Sequence, residues 1–370
     1  MHDIRYAHVA DSDWRAGIAH CLNAMGPLGP EHRLGFIYVA DRFAGELDDI
    51  ATVLKEVTGV RDWVGTAGIG VLATGHEYYD EPALAMMVAA CDPDEYRLLP
   101  RLEHDTRPIK QAHQRWMEHR HPTVALVHAD PRATALPALV SALAEDLGFV
   151  VGGLTASRSG FPQLAGKVTE GGLSGVMFAG DVAVATGLTQ GCSPIGPIRR
   201  ITECADNVIE TIDGRPALDV FKEDIGELLA RDLRRVAGYI HAALPVPGSD
   251  TGDYMVRNLT GIDPKRGLVA IGATVAVGDP ILFVRRDQSA AEQDLDRMLK
   301  QIKQRAKATP KGGIYVSCVA RGPNLFGKDS QELKRIRDAV GDFPLVGFFA
   351  NGEISHNRLY GYTGVLTLFV

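Results

Sequence analysis

One order of events occurs three times along the chain, and a sequence that repeats its plan at a near-fixed interval folds as related units. In the first copy an apolar strand at 35–40 leads through Asp41 into a helical stretch at 48–57. Then come Trp63-Val64-Gly65-Thr66-Ala67-Gly68 and, past a polar turn, a second apolar run at 83–90. The second copy runs from 123–128 through a helix at 136–147 to Val150-Val151-Gly152-Gly153-Leu154-Thr155-Ala156-Ser157 and closes on 173–178. The third runs from 313–318 through a helix at 331–340 to Leu345-Val346-Gly347 and closes on 364–369. From strand start to the glycine of the shared Val-Gly pair the spacing is 30 residues (35 to 65), 29 (123 to 152) and 34 (313 to 347).

Each copy reads as a βα crossover followed by a β-hairpin. The first strand is apolar on both faces, as a strand covered on both sides must be, and the helix after it carries an apolar stripe such as Leu333, Ile336 and Val340, closed by Gly341. The Val-Gly glycine implies a close backbone approach or a bulge. A further helix, 289–307, is expected to open with a capping box of Ser289 and Glu292, to bury Leu295, Leu299 and Ile302, and to end on Lys303, Arg305 and Lys307. The fold class is therefore α/β: two domains of pseudo-repeated strand-helix-strand-hairpin units, with mixed sheets flanked by helices.

Between the second and third copies, 181–288 forms a long insertion whose centre, 245–253, is loop chemistry. It carries a helix at 217–230 and strand-like runs at 181–188, 268–277 and 281–284. The domain break falls near 190–200, where Gly191-Cys192-Ser193-Pro194-Ile195-Gly196-Pro197 interrupts the periodicity, so the domains are 1–190 and 191–370.

Length agrees with this division, since 370 residues exceed one ordinary domain. A net charge of -7 is a poor footprint for phosphate-backbone binding, and nucleic acid is not an expected partner. Cys21, Cys91, Cys192, Cys204 and Cys318 form no CxxC pair and are odd in number, which points to a reducing compartment. With no apolar leader and no stretch long enough to span a membrane, a cytoplasmic location is expected. No P-loop and no GxGxxG is present, and His113, His119 and His121 lack a Cys or carboxylate at ligand spacing, so neither cofactor nor metal is expected.

Two groups of residues carry a family resemblance. The segment Gln190 to Pro197, followed by Thr202 to Leu218, resembles the join between the two halves of FIST proteins (F-box and intracellular signal transduction). Ser317-Cys318-Val319-Ala320-Arg321-Gly322, then Val346-Gly347-Phe348-Phe349-Ala350-Asn351-Gly352-Glu353-Ile354, then Leu359 to Leu366, resemble the closing motifs of the FIST C domain. On that resemblance the domains are FIST N-like and FIST C-like. It implies a cytosolic sensory module that binds small ligands such as amino acids or their derivatives, joined in some members to signalling or ubiquitin-ligase parts. No such part is visible here, so a stand-alone protein signalling through a protein partner or through oligomerisation is expected.

Ligands of open α/β sheets collect outside the carboxyl ends of parallel strands, and a right-handed crossover brings the two ends of one unit to one edge. In the third copy that edge gathers Cys318, Arg321, Asn324, Asn351 and Glu353, the candidate ligand-binding set. Arg321 would hold a carboxylate and Glu353 an ammonium, so the pair suits a zwitterion. Two other readings of the same residues stand beside it. Arg321 and Glu353 would pair with each other and fasten the loops, or Cys318, His356 and Glu353 would form a triad-like set on a thiolate. The corresponding edges elsewhere offer Asp41, Arg42, Thr66 and Thr74 in the first copy, and His128, Asp130, Thr155, Ser157 and Arg158 in the second.

Overall fold

The computed structural model describes all residues except 227, 228, 230–232, 234, 235, 237 and 249–251. The repeat is longer than the sequence pattern alone shows, because each copy is preceded by an edge strand and a helix. The first copy is β1 (His2–Ala10), α1 (Trp14–Met25), β2 (His32–Ala40), α2 (Leu47–Thr58), β3 (Asp62–Gly68), the hairpin β4 (Gly70–Ala73) and β5 (His76–Tyr79), and β6 (Ala83–Ala90). The second is β7 (Tyr96–Leu102), α3 (Arg107–Arg120), β8 (Val124–Ala129), α4 (Leu136–Leu147), β9 (Phe149–Leu154), the hairpin β10 (Gln163–Ala165) and β11 (Lys167–Thr169), and β12 (Leu173–Phe178).

The third copy opens with β13 (Val184–Gln190) and is then interrupted. The interruption holds β14 (Cys192–Pro194), β15 (Arg199–Ala205), β16 (Val208–Ile212), β17 (Arg215–Pro216), α5 (Ala217–Ile225), β18 (Ile240–Pro245), β19 (Tyr254–Arg257), β20 (Leu259–Asp263), β21 (Leu268–Ile271) and β22 (Pro280–Arg286). The copy resumes with α6 (Gln288–Ala306), β23 (Gly312–Cys318), α7 (Gln331–Val340), β24 (Leu345–Ala350), the hairpin β25 (Glu353–His356) and β26 (Arg358–Tyr360), and β27 (Thr363–Phe369).

Strand pairing turns the three copies into a closed cycle. In each, the two crossover strands run parallel and the last strand pairs antiparallel with the first of them. The hairpin, however, leaves its own sheet. The orders are β1-β6-β2-β3-β10-β11, β7-β12-β8-β9-β25-β26 and β13-β27-β23-β24-β4-β5, so each copy extends the sheet of another. The Val-Gly glycines occupy one equivalent place: Gly65 lies opposite Ile37, Gly152 opposite Val127 and Gly347 opposite Tyr315. A Cβ there would stand 1.8, 1.9 and 1.7 Å from the carbonyl oxygen of the opposing residue, which is the close backbone approach that the dipeptide implied.

The chain packs as two compact units. One comprises Met1–Thr189 with Leu295–Val370, the other Gln190–Asp294. In the first, the inner faces of the three sheets share one apolar core, where Tyr38 stacks on Phe348 at 5.1 Å and His128 meets both rings edge-on. On the outer face of the first sheet, Ile37, Val39 and Trp63 pack under Ile18 of α1 and Ile50 and Leu54 of α2. The second unit has its own core of Ile201, Ile209, Phe221, Val269 and Phe283.

Several boundaries differ from the sequence reading. At α6 the side chain of Asp287, rather than Ser289, accepts from the backbone N–H of Ala290, so the helix is capped two residues earlier than expected. The helix expected over 217–230 runs to Ile225, and part of its remainder lies outside the described residues. The strand run 181–188 is realised at Val184–Gln190, and 268–277 shortens to Leu268–Ile271.

Candidate functional site

The parallel pairing of β23 with β24 brings Cys318 opposite Ala350 at the carboxyl edge of the third sheet. Side chains alternate along β23, so Tyr315 and Ser317 face α7 while Val316 enters the central core, and Cys318 shares the direction of Val316. This alternation divides the five candidate residues into groups.

Arg321 is fully buried, and its partner is Glu332 of α7. Its Nε donates to Glu332 Oε1 at 2.8 Å, and Nη2 lies 2.7 Å from the same oxygen. Glu332 also accepts from Tyr315 Oη at 2.6 Å, Ser317 Oγ at 3.1 Å and the Gly322 N–H at 3.0 Å. Beside it, Glu77 of β5 accepts from the Leu333 N–H at 3.1 Å; burial, reinforced by the charge of Glu332, pushes the Glu77 carboxyl up to about 8. The loop-fastening ion pair thus exists, with Glu332 in the place expected for Glu353.

Glu353 is also fully buried, on β25 opposite Gly153 of β9. Its Oε2 accepts from Thr363 Oγ1 at 2.6 Å and the Thr363 N–H at 3.1 Å, while Oε1 has no partner. Burial pushes this carboxyl up to about 8, against the lowering effect of Thr363, the Arg321 charge and the neighbouring Cys318 thiol. Cys318 is raised above an ordinary thiol by burial first and by the nearby Glu353 charge second, so it is held protonated. His356 does not join them. Three residues apart on a strand, Glu353 and His356 face opposite ways, and the exposed His356 ring stacks on Phe149 at 5.2 Å. Asn324 and Asn351 are exposed at the rim, and Asn324 Nδ2 donates to Tyr79 Oη at 2.8 Å and to the Val319 carbonyl at 3.0 Å.

The carboxyl edges of all three copies are laced together here: the Ala156 N–H bonds the Ala67 carbonyl, the Leu154 N–H the Gly352 carbonyl, and the Asn351 N–H the Leu154 carbonyl. Around this junction Thr66 Oγ1 meets Thr155 Oγ1 at 2.7 Å, buried Gln163 donates to Thr155, and Arg158 bridges Asp41 at 3.1 Å and Asp80 at 2.8 Å. Tyr38 Oη and His128 Nε2 are 3.1 Å apart, and burial drives the His128 imidazole down to about 3, so it stays neutral. Asp130 is held by Arg132. Thr74 is not at this edge, because its hydroxyl donates to the Phe343 carbonyl just before β24 begins.

Glu332, Glu77 and Gln163 were missed by the sequence reading. Glu332 had a legible signal: it precedes Ile336 and Val340 at four-residue spacing and so lies on the buried stripe of α7. Glu77 and Gln163 sit on hairpins that pair with another copy's sheet, which no local pattern discloses. Of possible cation ligands, Asp3, Glu31 and His32 place ligand atoms within 4.8 Å of one another, but Arg5 already holds Asp3 and the Gly29 N–H points at His32 Nδ1.

Comparison with known proteins finds the FIST N domain over residues 33–215 and the FIST C domain over 217–356. FIST domains are generally taken as small-ligand-binding domains of signal transduction. The uncharacterized protein Rv0628c of Mycobacterium tuberculosis (strain ATCC 25618 / H37Rv) is 32% identical over 324 residues, covering 83% of each chain. The uncharacterized protein Mb0898c of Mycobacterium bovis (strain ATCC BAA-935 / AF2122/97) is 29% identical over 343 residues, covering 87% of each.

Proposed function

The chain belongs to the FIST family, and on that premise we propose that it is a cytoplasmic sensory protein that binds a small polar or zwitterionic molecule, such as an amino acid derivative, and signals through a protein partner. The ligand sits at the carboxyl edge of the third copy, among Cys318, Arg321, Asn324, Asn351 and Glu353. One observation carries this reading: Glu353 Oε1 and Arg321 Nη1, both wholly buried, have no hydrogen-bond partner. A buried polar atom left unpaired costs about 1–3 kcal/mol, which a ligand bearing one donor and one acceptor would recover. An ammonium suits Glu353 Oε1 and draws the carboxyl back to its charged form, while a carboxylate suits the free side of Arg321. Entry requires movement of the exposed turn that carries Asn324, which Tyr79 fastens.

A thermal-shift screen of amino acids, dipeptides and keto acids tests the proposal, since a ligand at a hundredfold excess over its Kd stabilises by roughly 2.7 kcal/mol. At least one compound should stabilise, and Glu353→Gln should weaken it by about tenfold or more. If nothing in the screen shifts the melt, and native mass spectrometry of the purified protein finds no retained molecule, a ligand-free interaction scaffold replaces this reading.

A further inference from the structure

At the amino ends of β2 and β3 a cavity of about 290 Å³ is lined on its polar side by His32, Arg33, Arg61, Asp62, Tyr96 and Arg97. Arg97 is built into its wall. Its Nη1 donates to the carbonyls of Pro93 at 2.6 Å and Tyr96 at 2.8 Å, its Nη2 donates to Asp94 at 2.7 Å, and its guanidinium lies 5.1 Å from the centre of the Trp116 ring. Arg33 and Arg61 are exposed and have no ion-pair partner among the described residues, whereas Arg5, Arg101, Arg107, Arg132 and Arg158 each hold a carboxylate. Asp62 is the one acid in the lining, and its Oδ2 is engaged by Tyr96 Oη at 2.7 Å.

The unpaired guanidiniums of Arg33 and Arg61, beside that of Arg97, whose charge Asp94 already meets, therefore face one space whose single lining carboxylate is itself engaged, in a chain whose net charge is -7. Unpaired arginines gathered in one concavity repel one another, and an anion with several oxygens relieves that repulsion through paired N–H···O bonds. The volume is at the lower end of small-ligand pockets, with room for a phosphoryl group on a short carbon body and too little for a nucleotide. We propose that this cavity binds a small phosphate monoester, with Arg97 as the fixed contact and Arg33 and Arg61 closing on the remaining oxygens.

Isothermal titration of the full chain with glycerol 3-phosphate tests the proposal, beside inorganic phosphate, succinate and vesicles containing phosphatidic acid. Glycerol 3-phosphate should bind more tightly than succinate and weaken as salt is raised. Arg33→Ala and Arg61→Ala should each weaken it by about tenfold or more, with the ligand-free melt unchanged. Absence of binding at millimolar glycerol 3-phosphate, or an affinity in both variants equal to that of the parent protein, overturns the proposal. So does binding to the vesicles alone. A purely structural Arg61, complementing the carboxyl end of α2 that Gly59 closes, would instead lower the ligand-free melt and leave the affinity untouched, which also overturns it.

Discussion

Removing the Arg321 side chain should destabilise the first unit by roughly 3–5 kcal/mol, because it leaves the Glu332 carboxylate enclosed without its counter-charge. The contact of 2.7 Å between Arg321 Nη2 and Glu332 Oε1 is worth about 6 kcal/mol gross at an effective dielectric of 20, largely offset by desolvation of both ions. Tyr315, Ser317 and the Gly322 N–H would still bond the carboxylate, but they do not replace the charge. Glu332→Ala should cost a similar amount by stranding the guanidinium. Arg321→Ala with Glu332→Ala should fall short of the sum of the singles by about 2 kcal/mol, and Arg321→Met with Glu332→Leu, which preserves volume, should be milder than either single. Urea denaturation followed by tryptophan fluorescence is selective for this unit, since Trp14, Trp63 and Trp116 all belong to it. A cycle between Arg321 and Glu353, which make no direct contact, should give a coupling under about 0.5 kcal/mol. A stronger coupling of Arg321 to Glu353 than to Glu332 would refute the assignment of Glu332 as the counter-charge of Arg321.

Further outcomes follow from the same geometry. Gly347→Ala places a methyl group 1.7 Å from the Tyr315 carbonyl oxygen and should cost at least about 3 kcal/mol or prevent soluble expression, whereas Gly214→Ala, with nothing within 4 Å, should be far milder and reflect only its φ of 73°. Glu353 is raised from 4.5 to about 8 on folding, so the native state holds the proton through that window; its contribution is complete below pH 4.5 and is lost as pH rises through 8, by up to about 1.4 kcal/mol per pH unit. The melt of Glu353→Gln should therefore gain on the parent protein between pH 5 and pH 8, and a constant difference between the two would contradict the burial of this carboxyl. In native protein at pH 7, iodoacetamide should label half-buried Cys204 well before Cys318, whose thiol burial keeps protonated; mass spectrometry showing Cys318 labelled first would return the thiolate reading.

Local chemistry made much of the architecture readable in advance. The helices at 136–147 and 331–340 stand at the expected residues because an apolar stripe and a closing glycine act within a few turns of chain. The Val-Gly positions were legible because Ile37, Val127 and Tyr315 leave no room for a Cβ opposite them, and only glycine meets that demand. Gathering Cys318 and Glu353 at one edge followed from the handedness of a βα crossover, itself a local property of twisted strands.

The remainder depended on which surfaces meet. Nothing within His76–Tyr79 or Gln163–Ala165 says that these hairpin strands extend the sheets of other copies, since the backbone edge that accepts them is chemically the same in all three. Nor does any local pattern indicate that the chain leaves its first compact unit after Thr189 and rejoins it at Leu295, because short-range signals carry no record of which segments are neighbours in space. The exchange decides the site: it brings Glu77 against Glu332, and it sets Glu353 beside the second sheet rather than beside Arg321. Residue type and spacing determined which strands, turns and charged groups were available. Only tertiary pairing, driven by the closure of three sheets around one apolar core, decided which acid receives Arg321 and which is left buried with an open oxygen.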